Sequence, residues 1–519
     1  MAGDEIKVLF INPPFQRLKG MAQVYLPLGL GYLCSYLSRD RKINAMIYNA
    51  ETPDLAEKTI LHAKYQDMLN LHDKYVIALK DDGHYVWEEA RRVIRDFRPD
   101  VVCVTVMTAK YGAALKISRI AKTANSGCRV VWGGQHATID YERVLKEPLV
   151  DFVVRGEGEV TLKSLVDLIA AGKDADQGSL SSIESLSYKI GSNAFHNPRR
   201  ELIEDLDSLP FPARDKLLFK ERYLPSSWGD IITLRGCPFR CGYCSAHNIW
   251  TRKTRYRALD NVMEEIKAVI EKNHTTEFNF CDDSFTLNRG RALELCALLK
   301  KLKPHITWWC TTRVDLLDDH LVKEMKAAGC TSVSIGVESG SPRMLDNIQK
   351  DITIEKVRNA AALLDKHKLK YEAYFLIGFP EETKEDVEET FGLMKRLKRG
   401  RVCFSIFTPY PGTEQYNIAK RHNLIPLNPD WSRFSHQSRE NHFAKNLSRE
   451  ELDYYVETIS TWVDDNNSRN TSISTLFWKA FLNFGSLVRR PGLIIGKWKT
   501  LKTLLNNKIK AYRKAGIRR

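Results

Sequence analysis

The sequence predicts an α/β fold of two domains followed by a basic helical tail. With 519 residues, the chain is longer than the roughly 100–200 residues of an ordinary domain, so we expect more than one core. In both halves of the chain, apolar β-branched runs of strand length alternate with segments whose apolar residues recur three and four positions apart. This alternation is typical of parallel sheets covered by helices.

Residues 1–175 carry the first series of strand-like runs. The first run stops at Pro13 and Pro14, which lack the N–H group that a central strand needs. The series predicts a Rossmann-like, flavodoxin-type sheet, whose ligands bind beyond the carboxyl ends of the strands. The five predicted strands are IKVLFINPP, INAMIYNAE, DVVCVTVMTA, CRVVWGG and VDFVVRGEGE.

A long connection separates the second and third of these strands. Ordinary connections between a helix and a strand take about 2–6 residues, whereas residues 52–98 have the pattern of two or three helices. This insertion is either a cap over a bound ligand or an addition specific to the substrate. The sequence leaves both alternatives open.

Residues 176–222 are rich in Ser, Asp and Pro and predict a linker, with a short strand pair around LSYKI. Beyond it, residues 223–440 return to alternating strands and helices, which predicts a parallel sheet closed wholly or partly into a barrel. Polar side chains follow most of these strands, where substrates of such folds bind. The predicted strands are TEFNFCDDSF, HITWWCTTRVD, CTSVSIGVESGS, KYEAYFLIGFPEET and RVCFSIFTPYPGT.

The overall composition is that of a soluble globular protein, with 43% hydrophobic and 28% charged residues. No stretch reaches the roughly 18 apolar residues of a membrane span, and the start of the chain lacks the layout of a secretory signal. We therefore expect a cytoplasmic protein. Eight of the 11 cysteines lie singly along the chain, as reduced thiols of such a protein do.

The positive charge belongs to the C-terminal tail, residues 441–519. Thirteen Lys and Arg and no Asp or Glu lie from Asn466 to Arg519, so residues 1–465 carry only +2 of the net charge of +15. This distribution argues against a nucleic-acid groove in the body of the protein. The tail either contacts an anionic membrane surface or packs as a solvated helix on the barrel. The aromatic residues that would enter a membrane interface are Trp478, Phe481, Phe484 and Trp498.

Three cysteines stand together in RGCPFRCGYC, at Cys237, Cys241 and Cys244. A structural zinc site needs four ligands, usually as two separated pairs, and His247 is the nearest candidate for a fourth ligand. Thiolates also hold iron–sulfur clusters. Three thiolates on a cluster of four irons leave one iron open to a small chelating molecule.

The CxxxCxxC spacing, with an aromatic residue before the third cysteine, resembles the radical S-adenosylmethionine (SAM) superfamily. The resemblance implies a partial (β/α)6 TIM barrel in which a 4Fe-4S cluster chelates SAM and reductively cleaves it to a 5′-deoxyadenosyl radical. It also implies SAM contacts from the motif and from the strand ends. The residues concerned are Tyr243, Asp282, Asp283, Arg313, Gly336, Glu338, Ser339 and Gly378.

The resemblance also suggests roles for these residues. Tyr243 would lie against the adenine, although it could be a plain core aromatic. Asp282 or Asp283 would receive the ammonium group, where this sequence has CDDSF in place of the common Gly-Gly-Glu. Arg313 and Glu338 would hold the carboxylate and the ribose or ammonium, or would pair with each other. The glycines either allow close approach of a ligand or form turns.

The N-terminal segments FINPP, PLGLGYL, VVWGGQHAT and VVRGEGEVTL resemble the cobalamin-binding domain of one large subgroup of this superfamily, the class B methylases. GxGxxG is absent, and so is the DxHxxG motif whose histidine ligates cobalt. The resemblance therefore implies a corrinoid without a protein imidazole; a relic domain without corrinoid is the alternative. The implied contacts are Asn12, Pro13, Thr105, Thr108, Gly133, Gly134, Gly156 and Glu157.

The resemblance implies a C-methyltransferase in which one SAM methylates cobalamin and a second generates the radical that activates an unactivated carbon. Oxidative cyclisation or ring rearrangement with the same cofactors is one alternative. A non-catalytic, membrane-associated iron–sulfur redox or sensor protein is another. The expected partners are a small-molecule or lipid substrate and an external reductant of the flavodoxin or ferredoxin type. No residue is singled out as catalytic.

Overall fold

The computed structural model describes residues 5–21, 24–55, 57, 64–397 and 399–470. Trp478, Phe481, Phe484 and Trp498, with the rest of the predicted tail beyond Asn470, lie outside these residues. No helix in the described ranges is long and apolar enough to cross a bilayer.

The first sheet has seven strands in the order β2-β1-β3-β4-β5-β6-β7. The first five of these are parallel and follow the flavodoxin order, and the last two are antiparallel. β1 is apolar on both faces and almost wholly buried, as a central parallel strand should be. The strands are β1 (Ile6–Asn12), β2 (Ile43–Asn49), β3 (Val101–Thr105), β4 (Arg129–Gly133), β5 (Phe152–Val154), β6 (Leu186–Ile190) and β7 (Asn193–His196).

Eight helices accompany this sheet. The insertion between β2 and β3 contains two of them, and the second buries Trp87, Val93 and Ile94 against the core. The first of the two contacts both the turn after β1 and the helix Arg449–Asn470. The helices are α1 (Leu28–Leu37), α2 (Tyr65–Lys80), α3 (Tyr85–Phe97), α4 (Tyr111–Ala124), α5 (Gln135–Ile139), α6 (Tyr141–Val144), α7 (Glu159–Ala170) and α8 (Gln177–Ser181).

The second sheet has six parallel strands in the order β15-β14-β13-β12-β11-β8. Strands that follow chain order with helical crossovers place their helices on one face. In the described residues the two end strands do not pair with each other, so this is a partial barrel. A small ribbon joins β9 to β10. The strands are β8 (Asp230–Ile231), β9 (Leu234–Arg235), β10 (Arg255–Tyr256), β11 (Glu277–Phe280), β12 (Thr307–Arg313), β13 (Cys330–Glu338), β14 (Lys370–Ile377) and β15 (Arg401–Ile406).

Buried and more exposed residues alternate along the second sheet. In β14, Ala373 and Phe375 are buried, whereas Tyr374 between them is 41% exposed. Tyr374 pairs with Gly336 on the neighbouring strand β13 and with Cys403 on the neighbouring strand β15. One face of the sheet therefore packs under helices, and the other forms a partly open interior. The helices are α9 (Ala246–Trp250), α10 (Leu259–Asn273), α11 (Arg289–Lys300), α12 (Asp319–Ala327), α13 (Pro342–Asn347), α14 (Ile354–Lys366), α15 (Lys384–Arg396), α16 (Glu414–Arg421) and α17 (Arg449–Asn470).

The edge strand β15 is covered by α17. The Asn467 side chain accepts a hydrogen bond from Val402 N (2.9 Å) and donates one to Val402 O (2.8 Å), so it satisfies backbone groups of an otherwise open edge. Short 3-10 helices occupy several loops. They are Arg17–Lys19, Thr108–Lys110, Leu206–Ser208, Arg214–Lys216, Lys220–Arg222, Pro225–Trp228, Val314–Leu316 and Trp431–Arg433.

Candidate active site between the two sheets

The three clustered cysteines lie in the loop between β9 and α9, which we call the cysteine loop (residues 236–245). The loop begins at Gly236, whose φ is +101°. A β-carbon there would come within 2.1 Å of Lys253 O. Glycine is therefore required at the start of the loop, where the backbone passes directly beside the strand that pairs with β9.

The cysteine thiols are half-buried and influence one another. Burial, together with the nearby charges of Cys241, Asp283 and Cys237, raises the pKa of Cys244 to about 11. Burial also raises the pKa of Cys237. Thiolates at these positions need a positive partner, which the irons of a cluster would supply. The side chains therefore fit a metal cluster as its ligands.

Among the described residues, no three or more His, Cys, Asp or Glu side chains form a group that could hold a metal ion. The thiolates of a 4Fe-4S cluster bind separate irons, so they stand further apart than the ligands of one ion. His247, the candidate fourth ligand for zinc, instead directs Nδ1 at Cys244 O (3.0 Å).

Tyr243, within the motif, belongs to a buried polar cluster at the end of β13. Lys350 Nζ donates to Tyr243 OH (3.0 Å) and to Glu338 Oε1 (2.9 Å). Both Lys350 and Glu338 are less than a tenth exposed. Burial, and after it the charge of Glu338, raises the pKa of Tyr243. Tyr243 is thus held by its hydroxyl while its backbone stays in the cysteine loop.

Arg313 lies at the end of β12, next to this cluster. It pairs with Asp315 (3.0 Å), donates to Lys350 O (2.8 Å) and stacks on the Phe239 ring at 3.6 Å. Its Nη1 also lies 3.7 Å from Cys241 Sγ. The carboxylate beside Arg313 is therefore that of Asp315, while Glu338 pairs with Lys350.

The two predicted glycines have different surroundings. A β-carbon on Gly336 would lie 2.6 Å from Glu338 Oε1 and 2.9 Å from Lys350 Nζ, so its absence makes room for that ion pair. Gly378 has φ +88° and donates its N–H to the buried carboxylate of Glu382. Gly378 therefore occupies a left-handed turn at the end of β14.

Ser339 follows Glu338, whose own φ is +71°. The Ser339 hydroxyl lies 3.0 Å from Thr390 Oγ1 on α15, so it anchors the strand end to the helical layer. Glu382 accepts from Gly378 N and Phe379 N, and its Oε1 has no partner among the described residues. Burial raises the pKa of Glu382 to about 8.

The two adjacent aspartates after β11 differ in position. Asp282 is buried and accepts from Thr233 N (2.6 Å), Thr233 Oγ1 (2.7 Å) and Leu234 N (3.1 Å). Burial raises its pKa to about 6. Asp283 has an exposed residue surface and accepts from the Gly236 N–H at the start of the cysteine loop. Asp282 thus holds the backbone before the loop, and Asp283 is the one accessible to a ligand.

Asn12 and Pro13 lie at the carboxyl end of β1, in a buried polar network. Asn12 donates to Asn49 Oδ1 (2.8 Å) and accepts from Lys110 Nζ (2.8 Å). Lys110 also pairs with Glu51 at 2.8 Å, and both side chains are buried. The network ties together the ends of β1, β2 and β3 directly below the loops that cover this edge.

The glycine turn Gly133-Gly134 ends β4. Gly134 has φ +90°, and a β-carbon on it would lie 2.9 Å from Thr105 Oγ1 and 3.0 Å from Val106 N. Next to the turn, Thr108 Oγ1 lies 3.1 Å from His136 Nδ1. His136 Nε2 is buried, has no hydrogen-bond partner among the described residues and lies 3.8 Å from Asp140 Oδ2. A turn without side chains lets the backbone approach a ligand closely, so it fits a corrinoid lying across these strand ends.

Gly156 and Glu157 follow β5. Gly156 has φ +71° and donates its N–H to Thr138 Oγ1 (2.9 Å). Glu157 is buried and pairs with Arg235 (2.7 Å) and Arg255 (2.8 Å), residues of the ribbon beside the cysteine loop. Glu157 therefore joins the first sheet to the base of that loop. Its carboxylate is paired with two arginines and is not free to contact a corrinoid.

A second link joins the two sheets close to the cysteines. The Gln135 side chain, directly after the glycine turn, hydrogen-bonds Ser245 Oγ, directly after Cys244. The carboxyl edge of the first sheet thus lies against the cysteine loop. A corrinoid on that edge and a cluster on the loop would face each other.

Sequence reasoning missed Lys350, Glu382, Glu51 and Lys110. None of them lies in a recognisable motif, and Lys350 is separated from Tyr243 by 107 positions. The one available signal was Glu338 itself, because a carboxylate at the end of an apolar strand needs a cation nearby when it is buried.

Comparisons with known proteins agree with this arrangement. The family model of the Radical SAM superfamily matches residues 231–394, and that of the B12 binding domain matches residues 74–166. An uncharacterized methyltransferase of Pyrococcus horikoshii is 33% identical over 437 residues, which are 83% of this chain and 86% of that protein.

Two further likenesses concern a different reaction and a solved structure. The anaerobic magnesium-protoporphyrin IX monomethyl ester cyclase of Rubrivivax gelatinosus is 29% identical over 423 residues, 79% of this chain and 69% of the cyclase. The radical SAM methyltransferase TsrM from Kitasatospora setae, solved with cobalamin and a 4Fe-4S cluster, gives a TM-score of 0.68 at 16% identity, covering 97% of this chain and 99% of that chain. This last likeness establishes the shared fold.

Proposed function

This chain belongs to the radical SAM superfamily, in the group with an N-terminal B12-binding domain, and we propose that it is a C-methyltransferase acting on an unactivated carbon. One observation carries the proposal: the methyltransferase of Pyrococcus horikoshii matches this chain through both cofactor-binding domains, over 86% of its own length. The contact between the glycine turn and the cysteine loop supports it, because methyl transfer needs the two cofactors side by side.

Cys237, Cys241 and Cys244 would hold the 4Fe-4S cluster. Tyr243, Asp283, Arg313, Glu338 and Lys350 would surround SAM where it chelates the open iron, and the carboxyl edge of the first sheet would hold the corrinoid. The cluster with SAM would supply the hydrogen-abstracting radical, and the corrinoid would supply the methyl group.

The chain's own side chains would bind and orient these groups. Arg313, which is paired with Asp315, would donate N–H groups to a carboxylate, and Asp283 would offer negative charge for an ammonium group. The ion pair of Lys350 and Glu338 keeps Tyr243 in place behind the loop. The buried pair of Glu157 and Arg235 fixes the loop relative to the corrinoid edge and keeps water from their contact.

A second candidate function is oxidative cyclisation with the same cofactors. The observation that favours it is the likeness to the Rubrivivax gelatinosus cyclase, which extends over 79% of this chain. The two reactions differ in co-products. Methyl transfer forms one S-adenosylhomocysteine and one 5′-deoxyadenosine for each product, whereas cyclisation forms 5′-deoxyadenosine without S-adenosylhomocysteine.

The experiment compares a deletion strain with its parent, both grown on methionine bearing a deuterated methyl group. The proposal expects a metabolite or lipid that carries an intact deuterated methyl on carbon in the parent and lacks this methyl in the deletion strain. A compound that instead differs by hydrogen or oxygen content, with no labelled methyl, would support the cyclase.

We also propose that an external flavodoxin- or ferredoxin-type protein supplies electrons, and that the basic tail contacts the inner face of the membrane. The tail proposal rests on the thirteen basic and no acidic residues from Asn466 to Arg519. The full chain should sediment with vesicles containing anionic lipid and not with neutral vesicles. A chain truncated after Asn470 that sediments equally well would contradict it.

A further inference from the structure

A solvent-open cavity of about 280 Å³ lies on the outer side of the cysteine loop. Its walls include Arg240, Cys241, His247, Arg252 and Glu414. It therefore leads from the surface to one of the three cysteines. It is formed by the loop itself, α9, the start of α16 and Gln349, and none of the side chains of Tyr243, Glu338 and Lys350 lines it.

The rim of this cavity is positively charged. Among the described residues Arg240 has no hydrogen bond or ion pair, and Arg252 donates to a backbone carbonyl, Phe239 O (2.6 Å). The carboxylate of Glu414 is balanced by Arg421 at 3.1 Å. Two guanidinium groups thus face solvent without a partnering carboxylate.

A third cation extends this surface along α9. Arg199 is exposed and donates to Asn248 O and Ile249 O, both at 2.7 Å. We call these three arginines, Arg199, Arg240 and Arg252, the arginine rim. Each bonds only to carbonyl oxygens or to nothing in the described chain, so the rim keeps its full charge for a partner.

We propose that the arginine rim is the docking surface of an acidic one-electron carrier protein, through which the cluster is reduced. The inference rests on the proposed function, because only a redox-active cluster needs such a partner. Charge complementarity identifies the partner: an uncompensated cationic rim steers and orients an anionic protein. The carrier loses one electron and the cluster gains one, and no bond in the chain forms or breaks.

The position of Cys241 would allow a carrier docked at the arginine rim to transfer an electron to the cluster. This cysteine is half-buried in the cavity wall, so a carrier seated on the rim stands next to a thiolate of the cluster. The opposite side of the loop is occupied by Gln135 and the first sheet. Electrons would therefore arrive from outside, while the corrinoid and substrate lie within.

The test measures binding of an oxidised bacterial flavodoxin to the cluster-free protein and reduction of the reconstituted cluster by the reduced flavodoxin. We expect Arg240→Glu to weaken flavodoxin binding about tenfold or more and to flatten its dependence on salt. Arg199→Glu should act in the same direction. Arg252→Gln, which can still donate to Phe239 O, should weaken binding less. Arg95→Glu, at a side chain 71% exposed on α3, is the matched control and should stay within about twofold of wild type.

A small reductant separates docking from changes in the cluster. Reduced methyl viologen should reduce wild-type and Arg240→Glu clusters at similar rates. Unchanged flavodoxin affinity in Arg240→Glu would overturn the proposal, and so would slower reduction by both reductants, which would locate the effect in the cluster itself. The proposal would also be overturned if Arg240→Glu lost binding to anionic vesicles while its binding to flavodoxin stayed unchanged. Absence of SAM cleavage in the wild-type protein with either reductant would instead refute the proposed function.

Discussion

Lys350 is the residue on which the polar cluster behind the cysteine loop depends. It is buried, and its ammonium group is the cation next to Glu338. Removing one partner of a buried ion pair leaves an uncompensated charge, which costs about 3–5 kcal/mol. We expect Lys350→Met to lower the thermal midpoint of the cluster-free protein accordingly.

The double variant Lys350→Met, Glu338→Gln is the control. It removes both charges, so most of the lost stability should return. Thermal unfolding of the four proteins of this cycle gives the coupling energy. A coupling near zero would show that the two side chains do not stabilise each other.

Glu382 should make stability depend on pH. Burial raises its pKa to about 8, above the unfolded value near 4.5, so the folded state binds more protons between these two values. The contribution of Glu382 to stability is then fully present below about pH 4.5 and is lost as pH rises to about 8, a change on the order of 5 kcal/mol.

Glu382→Gln keeps a neutral side chain at every pH. The variant should match wild type near pH 5 and unfold at a higher temperature at pH 9. Parallel pH profiles of the two unfolding midpoints would contradict the assigned protonation of Glu382.

Single residues differ in how far the sequence predicts them. Cys237, Cys241, Tyr243 and Cys244 lie within eight residues, so their spacing alone indicates their chemistry. Asp282 and Asp283 are adjacent, and only the fold shows that one holds Thr233 and Leu234 while the other lies at the loop. The difference depends on the side of the turn on which each side chain lies. No sequence pattern predicts that.

At the scale of elements, the glycine turn after β4 is sensitive to substitution. Gly134→Ala would place a β-carbon 2.9 Å from Thr105 Oγ1 at φ +90°. Such backbone strain costs roughly 1–3 kcal/mol. We expect lower thermal stability and loss of hydroxocobalamin retained through gel filtration.

Gly29→Ala is the matched control for this variant. Gly29 lies in α1, and a β-carbon there has nothing within 4 Å. Alanine favours a helix by up to about 1 kcal/mol over glycine, so this variant should be at least as stable as wild type and retain corrinoid. Equal corrinoid retention by both variants would contradict a role of the glycine turn in binding.

Each of the ten predicted strand runs contains a strand of the structure, from β1 to β5 and from β11 to β15. The short strand pair predicted around LSYKI is present as β6 and β7, which extend the first sheet. These strands are short, and their pairing partners are set by tertiary contacts rather than by their own composition. β8 and β9 have two residues each, too few for a periodic signal.

At the scale of the whole molecule, buried ion pairs join the two sheets. Arg235, next to the cysteine loop, pairs with Glu157 and Glu159 at 2.7 Å each. The sequence predicted both domains from their separate patterns. It could not predict their contact, because the residues that make it lie more than 70 positions apart and belong to no shared motif.

The two cofactor sites should load independently although they touch. Replacing Cys237, Cys241 and Cys244 together with Ala should abolish the brown chromophore and bound iron, because no cluster ligands remain. The first sheet should still bind hydroxocobalamin, measured by its absorbance after gel filtration. Iron retained by the triple variant would contradict the ligand assignment.

The central claim is that three protein thiolates leave one iron of the cluster open to SAM. Electron paramagnetic resonance of the reduced, anaerobically reconstituted protein tests it most directly, recorded with and without SAM. The account predicts a shifted spectrum when SAM is added, since its amino and carboxylate groups would coordinate the open iron. Identical spectra at saturating SAM would contradict it.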